Sequence, residues 1–265
     1  MELHTHHQQG YEYVDEGEGP VLLLLHGLFG ALSNWHEVVA AFRPRYRVLI
    51  PLLPIYDLPL AQAGVPGLVA YVQGFVAALG LPPAFTVLGN SLGGHVALVY
   101  ALNNPARVSR LVLTGSSGLF EDGMGGSFPK RGNYAYVQER VAYTFYDPAV
   151  ATKRLIDEIF QVINSTARCL RIIAIARSAQ RHNLTKELHR IRVPVLLVWG
   201  LNDTITPPPV AHEFARLLPA AELRFLDHCG HAPMMERSAG FNGYLHRFLR
   251  KTEPQPALLA EHGAA

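Results

Sequence analysis

Residues 85–102 read FTVLGNSLGGHVALVYAL. The apolar run 85–88 is followed by the small-residue turn Gly89-Asn90-Ser91-Leu92-Gly93 and then by a largely apolar segment. Between a strand and a helix, this Gly-x-Ser-x-Gly pattern predicts a sharp turn that projects a serine hydroxyl above the sheet. Ser91 would then stand at a helix N-terminus, where free amides favour negative charge. The alternative is an ordinary serine N-cap.

Similar apolar runs lie on both sides of this stretch and end in glycine, proline or polar residues. They are residues 21–25, 47–50, 110–113, 195–199 and 223–226. Residues 2–6 and 11–14 are expected to form an N-terminal hairpin. Continuous apolar runs are typical of strands buried on both faces of a parallel sheet. The segments between these runs have apolar residues at helical spacing. They are residues 34–42, 68–79, 92–102, 209–217 and 241–249, and Ser33 is expected to cap the first of them. This alternation predicts an α/β fold with a mostly parallel central sheet flanked by helices.

The alternation is interrupted between residues 115 and 193. A glycine-rich loop at 121–128 is followed by three segments with a helical pattern, 133–146, 148–163 and 164–178. Open α/β sheets bind ligands at the carboxyl ends of their strands, and a helical cap inserted after the sixth strand would cover that edge. Extra stabilising helices are the alternative. We expect a core of residues 1–118 and 190–250, a helical cap at 119–189 and a flexible tail at 251–265.

Composition limits the possible functions. The chain has 265 residues, of which 49% are hydrophobic and 17% charged, so a disordered chain is excluded. The net charge of +2 gives no reason to expect a nucleic-acid or membrane partner. Two cysteines cannot form a disulfide framework, and the N-terminal residues lack the apolar run of a signal peptide. We therefore expect a cytoplasmic protein that acts on a small molecule. The oligomeric state stays open.

A serine hydroxyl is a weak nucleophile and needs a base that an acid orients. Asp203 lies in the loop after the strand 195–199, and His231 follows Gly230 after the last strand. The predicted catalytic order is therefore Ser91, Asp203, His231. Several alternatives stay open at this point. Asp203 or Asn202 would be a simple helix cap, His228 would be the base, and Glu121 or Asp122 would be the acid.

A second loop, His26-Gly27-Leu28-Phe29-Gly30, follows the first apolar run. Chemistry at an acyl carbon needs two donors aimed at the developing oxyanion. The backbone N–H groups of Leu28 and Leu92 are the natural pair, and His26 is expected to brace the loop.

Histidine is the unusual component of the composition, with 13 residues. His4, His6 and His7 are close in sequence, but no carboxylate or cysteine completes a metal site at the usual spacing. Glycines 27 and 30 are not followed by the Gly-Lys-Ser/Thr of a phosphate loop. We therefore expect no metal and no cofactor.

The motifs His26-Gly27, 89–93, Asp203 and Gly230-His231 resemble those of the capped α/β-hydrolase family, and the resemblance spans residues 11–249. This family includes esterases, meta-cleavage C–C hydrolases and epoxide hydrolases. The resemblance implies a Ser-His-Asp hydrolase. Ser91 argues against epoxide hydrolase and dehalogenase activity, because those enzymes carry an aspartate at this position.

The turn at 89–94 and Cys229-Gly230-His231 are similar to the meta-cleavage hydrolases, with departures. Leu28-Phe29 replaces a glycine-rich run, and Ala232 replaces a tryptophan. The resemblance implies a cap arginine that binds a dienoate, for which Arg177 competes with Arg168, Arg171 and Arg181. The loop at 51–59 lacks the glycines common in the family, and we expect Tyr56 or Asp57 at the pocket rim.

The function expected from the sequence is hydrolysis of a small-to-medium apolar carboxylic ester through an acyl-enzyme on Ser91. Phe29, Tyr56, Arg177 and Ala232 are the expected pocket residues. One alternative is C–C bond hydrolysis of the meta-cleavage type. The other is a small-molecule receptor with slow turnover on the same fold.

Overall fold

The computed structural model describes residues 3–30, 32–120 and 130–251, without the side chains of Leu32 and Ser33. The glycine-rich loop predicted at 121–128, the alternative acids Glu121 and Asp122 and most of the tail lie outside the described residues. The N-cap role predicted for the side chain of Ser33 also lies outside them. The first long helix begins only at His36, after a 3-10 turn.

The described residues form one mixed sheet in the strand order β1-β2-β4-β3-β5-β6-β7-β8. The strands are β1 Thr5–Gln8, β2 Tyr11–Glu16, β3 Val21–Leu25, β4 Arg47–Pro51, β5 Phe85–Asn90, β6 Val108–Thr114, β7 Val195–Gly200 and β8 Ala221–Leu226. Strands β1 and β2 form an antiparallel hairpin, β2 pairs antiparallel with β4, and all other pairs are parallel. The predicted α/β fold and N-terminal hairpin are confirmed, and the hairpin begins at Thr5.

The apolar runs are continuous because helices cover both faces of the sheet. Leu22 and Leu24 of β3 pack on one face, whereas Leu23 and Leu25 pack on the other, and all four are fully buried. Each buried leucine contributes roughly 1.5–3 kcal/mol relative to an exposed one. The covering helices are α1 His36–Phe42, α2 Val65–Ala78, α3 Leu92–Asn103, α7 Pro208–Leu217, α8 Pro233–Glu236 and α9 Ser238–Lys251.

We call the chain between β6 and β7 the helical insertion, and its described residues include three α-helices. They are α4 Tyr134–Ala142, α5 Lys153–Asn164 and α6 Thr166–Arg181. Their starts differ from the predicted ones because polar side chains cap them. Asn133, Thr152 and Ser165 accept hydrogen bonds from the backbone N–H groups of Tyr136, Leu155 and Arg168. The insertion after the sixth strand is confirmed, whereas the bounds 119–189 stay a prediction.

No single helix in the described parts of the chain is long and apolar enough to cross a membrane. Helices α5 and α6 reach that length only together, and they meet at an angle of 95°.

The first turn of α3 lies directly against β3. A Cβ atom on Gly93 would be 2.1 Å from the backbone oxygen of Leu25, and one on Gly89 would be 2.4 Å from the backbone oxygen of Gly93. Neither neighbour is a flexible side chain. The glycines of the turn are therefore required by backbone contacts.

We expect Gly93→Ala to lower the free energy of unfolding by about 1–3 kcal/mol, because helix and strand must separate to admit a methyl group. Gly243→Ala is the matched control in α9, where an added Cβ meets nothing within 4 Å. It should raise the free energy by about 0.5–1 kcal/mol through helix propensity. Urea denaturation checks both values, and a Gly93→Ala protein as stable as the parent would contradict the packing argument.

Candidate active site

Ser91 lies in the turn between β5 and α3, with φ 54° and ψ −121°. A non-glycine residue in this left-handed region costs on the order of 1–3 kcal/mol unless its surroundings enforce it. The backbone of Ser91 is held by a hydrogen bond from its N–H to the oxygen of Thr114 (3.1 Å), and its own oxygen accepts the N–H of Ser117 (3.2 Å). Ser91 stands at the N-cap position of α3, but its side chain makes no capping hydrogen bond, so the alternative of an ordinary serine N-cap is wrong.

Asp203 and His231 form a buried pair. His231 Nδ1 lies 2.9 Å from Oδ2 and 3.1 Å from Oδ1 of Asp203, and the two residues are 6% and 3% exposed. Asp203 also accepts the backbone N–H groups of Ile205 and Thr206 and the Thr206 hydroxyl, each at 2.9 Å. Such an arrangement satisfies a buried carboxylate and orients the imidazole.

Asp203 does not cap α7, which begins at Pro208 after Pro207. The helix-cap alternative for Asp203 is therefore wrong. The Asn202 side chain instead accepts the backbone N–H of Cys229 at 3.3 Å, and so ties the Asp203 loop to the chain just before His231.

His228 is not placed as a base for Ser91. Its side chain is 56% exposed, it pairs with Asp227 at 3.1 Å, and its ring lies edge-on to Tyr146. It is also not among the residues that line the cavity described below. The alternative that His228 replaces His231 is therefore wrong.

The loop after β3 passes beside Ser91. A Cβ on Gly27 would be 3.2 Å from Cβ of Ser91, and the Gly30 N–H closes a turn onto the Gly27 oxygen at 3.0 Å. His26 braces this loop, because its Nε2 accepts the backbone N–H of Leu53 at 2.9 Å and its Nδ1 lies 2.9 Å from the Gly27 oxygen. Burial lowers the pKa of His26, which keeps the imidazole neutral as an acceptor.

A cavity of about 430 Å³ lies between the helical insertion and the carboxyl ends of the strands. Ser91 and His231 line it from the sheet side, with Leu28, Phe29 and Ala232. The insertion contributes mostly apolar side chains. Among them are Val137, Val141, Phe145, Leu155, Ile159, Ile163, Ile172, Ile173 and Ala176.

Of the predicted pocket residues, Phe29, Arg177 and Ala232 line this cavity, whereas Tyr56 does not. The prediction for Tyr56 is wrong because its side chain contacts the loop after β3 instead of lining the cavity. The Tyr56 hydroxyl donates to the backbone oxygen of Leu28 at 3.3 Å, and burial raises its pKa to about 12. Asp57 does not line the cavity either.

The arginines of α6 separate by position. Arg177 lines the cavity, whereas Arg168 stacks over the Tyr56 ring at 5.8 Å and Arg171 donates to the backbone oxygen of Leu58 at 2.7 Å. Arg140 of α4 is a second cavity arginine that sequence reasoning missed. Among the described residues, no three His, Cys, Asp or Glu side chains come together as metal ligands would.

The sequence model of the alpha/beta hydrolase family matches residues 22–243 of this chain. The chain belongs to that family. It is 30% identical over 241 residues to a pimeloyl-[acyl-carrier protein] methyl ester esterase of Nitrosomonas europaea, an alignment that covers 83% of this chain and 91% of the relative.

A second relative of this hydrolase, 2-hydroxy-6-oxo-6-phenylhexa-2,4-dienoate hydrolase of Comamonas testosteroni, is 27% identical, with 90% of this chain and 91% of the relative covered. Among solved structures, the alpha/beta hydrolase MGS-MChE2, from a metagenome of lagoon sediments at Mar Chica, Morocco, matches with a TM-score of 0.78 and 36% identity. That match covers 94% of this chain and 98% of the other.

Sequence reasoning missed several residues that position the Asp203–His231 pair of the hydrolase through hydrogen bonds and close packing. The Asn90 side chain donates to the backbone oxygen of His231 at 3.2 Å, and Thr206 contacts both members of the Asp203–His231 pair. Gly115, with φ 51°, leaves space for the His231 ring, since a Cβ there would be 2.9 Å from Nδ1. Asn90 and Gly115 lie close to the ends of predicted strands, but only their contacts in the structure show that both position His231.

His95 of α3 was missed as well. It is fully buried, and its ring stacks on His182 at 5.1 Å between centroids. Burial, together with the neighbouring His182, lowers the pKa of His95 to about 3. The folded hydrolase therefore keeps His95 neutral at pH values at which an unfolded histidine takes up a proton.

We expect the free energy of unfolding to fall as the pH falls below 6.5, because the unfolded chain then binds a proton that folded His95 excludes down to about pH 3. In His95→Gln, the slope between pH ~6 and pH ~4 should be smaller by about 1.4 kcal/mol per pH unit. Denaturant unfolding at several pH values measures this slope. The difference between His95→Gln and the parent at pH 8 gives the effect of the substitution on packing alone. An unchanged slope would contradict the assignment.

Proposed function

We propose that this hydrolase is a serine esterase that cleaves small-to-medium apolar carboxylic esters through an acyl-enzyme on Ser91. One observation carries the proposal. The strained serine and the imidazole of a buried Asp203–His231 pair line the same apolar cavity. Strain at a residue that faces a cavity is typical of functional sites.

In the proposed acylation step, Ser91 Oγ attacks the ester carbonyl and His231 accepts its proton. Asp203 takes the hydrogen bond from Nδ1, which leaves Nε2 as the basic nitrogen and stabilises the imidazolium that forms. The proton then passes to the leaving alcohol. Water activated by His231 attacks the acyl-enzyme in the second step, and the acid leaves.

The developing oxyanion is proposed to accept hydrogen bonds from the backbone N–H groups of Leu28 and Leu92. Leu92 follows the nucleophile at the start of α3, and Leu28 lies in the turn beside Ser91. His26 and Tyr56 support this role because both fix the backbone around Leu28.

The cavity supports the substrate class. Its volume of about 430 Å³ lies within the usual range for small-molecule sites, and its described lining contains no carboxylate. The aliphatic side chains of α5 and α6 would contact the acyl chain. The esterase relative from Nitrosomonas europaea agrees with this proposal.

A second candidate is hydrolysis of a C–C bond in a vinylogous diketone. Arg177 in the cavity favours it, because a guanidinium binds carboxylates well, and a dienoate hydrolase is among the relatives. Against it, Leu28-Phe29 and Ala232 replace residues usual in that class.

We expect Ser91→Ala and His231→Ala to lower the hydrolysis of p-nitrophenyl esters by ~10³-fold or more, since the nucleophile and the base act as a unit. His228→Ala is the matched control and should retain the parent rate. Fluorophosphonate labelling should occur in the parent and vanish in Ser91→Ala. Activity that persists in Ser91→Ala would refute the mechanism.

A parent protein that turns over esters and C–C substrates only slowly, yet is stabilised against heat by such ligands, would favour the receptor alternative. Faster turnover of a dienoate than of any ester, lost in Arg177→Ala, would favour the C–C hydrolase.

We expect Ala176→Phe, which adds a ring to the cavity wall, to reduce kcat/KM for p-nitrophenyl octanoate relative to the acetate by about 10-fold or more. Ala176 lines the cavity from α6, whereas Ala167 on the same helix is exposed and does not line it. Ala167→Phe should leave the ratio unchanged. An unchanged ratio in Ala176→Phe would show that the acyl chain binds elsewhere.

A further inference from the structure

Residues 143–147 of the helical insertion, just after α4, contact both loops of the Asp203–His231 pair. The Tyr143 oxygen accepts the hydroxyl of Thr204 at 3.1 Å, and the Thr144 oxygen accepts the backbone N–H of His231 at 3.0 Å. This segment therefore lies against the sheet domain at the site, besides belonging to the element that roofs the cavity.

The Glu236 carboxylate bridges this segment and the His231 loop. Its Oε1 accepts the backbone N–H of Gly230 at 2.8 Å, and its Oε2 accepts that of Tyr146 at 2.7 Å and, more distantly, that of Asp147 at 3.4 Å. Charged acceptors of this kind make stronger hydrogen bonds than neutral ones. Glu236 is half-buried, so solvent competes with these bonds only in part.

The loop needs such a support because Gly230 precedes the histidine. Glycine gives a chain segment more conformational freedom than any other residue. A larger residue is excluded here, since a Cβ on Gly230 would be 2.7 Å from the Thr144 oxygen and 2.8 Å from the Tyr146 nitrogen. The contact to Asp203 orients the imidazole ring. The backbone of His231 is held by the Thr144 oxygen and the Asn90 side chain, and Glu236 holds the residue before it.

We propose that Glu236 is a positioning residue for His231, acting by tying the Gly230 N–H to the Tyr146 N–H across the interface with the helical insertion. The inference rests on the proposed function, in which His231 is the base in both steps. Loss of the bridge would let the imidazole drift from Ser91, and a displacement of about 1 Å can lower a catalytic rate by about 100-fold.

The test compares Glu236→Gln with Glu139→Gln in the 265-residue protein. Glutamine keeps the shape but turns one acceptor into an NH₂ group, which cannot accept an N–H. Glu139 of α4 is an exposed carboxylate on the same insertion and serves as the control. We expect kcat for p-nitrophenyl esters to fall by about 10- to 100-fold in Glu236→Gln, with KM changed by less than about threefold, and no change in Glu139→Gln.

A second measurement does not depend on turnover. The proton on His231 Nδ1, hydrogen-bonded to Asp203, should give a low-field NMR signal that Asp203→Asn removes. We expect Glu236→Gln to shift or broaden this signal and Glu139→Gln to leave it unchanged.

The outcomes separate the two proposals. A parent protein without esterase activity would refute the proposed function, and the NMR signal alone would then decide the part played by Glu236. A kcat loss that merely matches a loss of folded protein, or a Glu236→Gln variant with parental kcat and signal, would overturn the positioning proposal.

Discussion

The close contact between the first turn of α3 and strand β3 is the constraint on which the rest of the site depends. The backbone of Gly93 approaches the Leu25 oxygen so closely that no side chain fits between them. This contact fixes the start of α3 directly after β5, and the intervening residue, Ser91, has to adopt a positive φ. The hydrogen bonds to Thr114 and Ser117 then hold a conformation that is unfavourable for an isolated serine.

The helical insertion has two physical roles. Its apolar side chains form most of the cavity wall, so the cavity exists only because α4, α5 and α6 pack over the sheet. Its polar backbone, at residues 143–147, satisfies groups of the Asp203 and His231 loops. The insertion therefore forms a wall of the cavity and also contacts the loops that carry Asp203 and His231.

The loop at 51–59, which lacks the family's glycines, connects two parts of the site. Through Leu53 and Tyr56 it holds the turn around Leu28, and through Leu58 it receives the Arg171 side chain of α6. Apolar residues suit this loop because Leu53 and Ile55 are buried in the hydrophobic core. Of these contacts, only the one to Leu28 needs a side chain of the loop, that of Tyr56, because Leu53 and Leu58 contribute backbone atoms.

Local sequence patterns predict the structure correctly where residues that are close in sequence decide it. Continuous apolar runs predicted the parallel strands, and the Gly-x-Ser-x-Gly pattern between strand and helix predicted the turn at Ser91. Helix ends in the insertion were misplaced, because short polar caps such as Thr152 outweigh the apolar pattern there. Tyr56 was misplaced too, since the direction of a loop depends on what it packs against.

The sequence by itself determined the α/β fold, the place of the insertion and the order of Ser91, Asp203 and His231, because each depends on short-range patterns of apolar, small and polar residues. Only the tertiary structure decided that His231 rather than His228 pairs with Asp203, that Arg177 rather than Arg168 or Arg171 lines the cavity, and that Glu236 bridges to Tyr146. These outcomes depend on contacts between residues up to 113 positions apart, which no local pattern encodes.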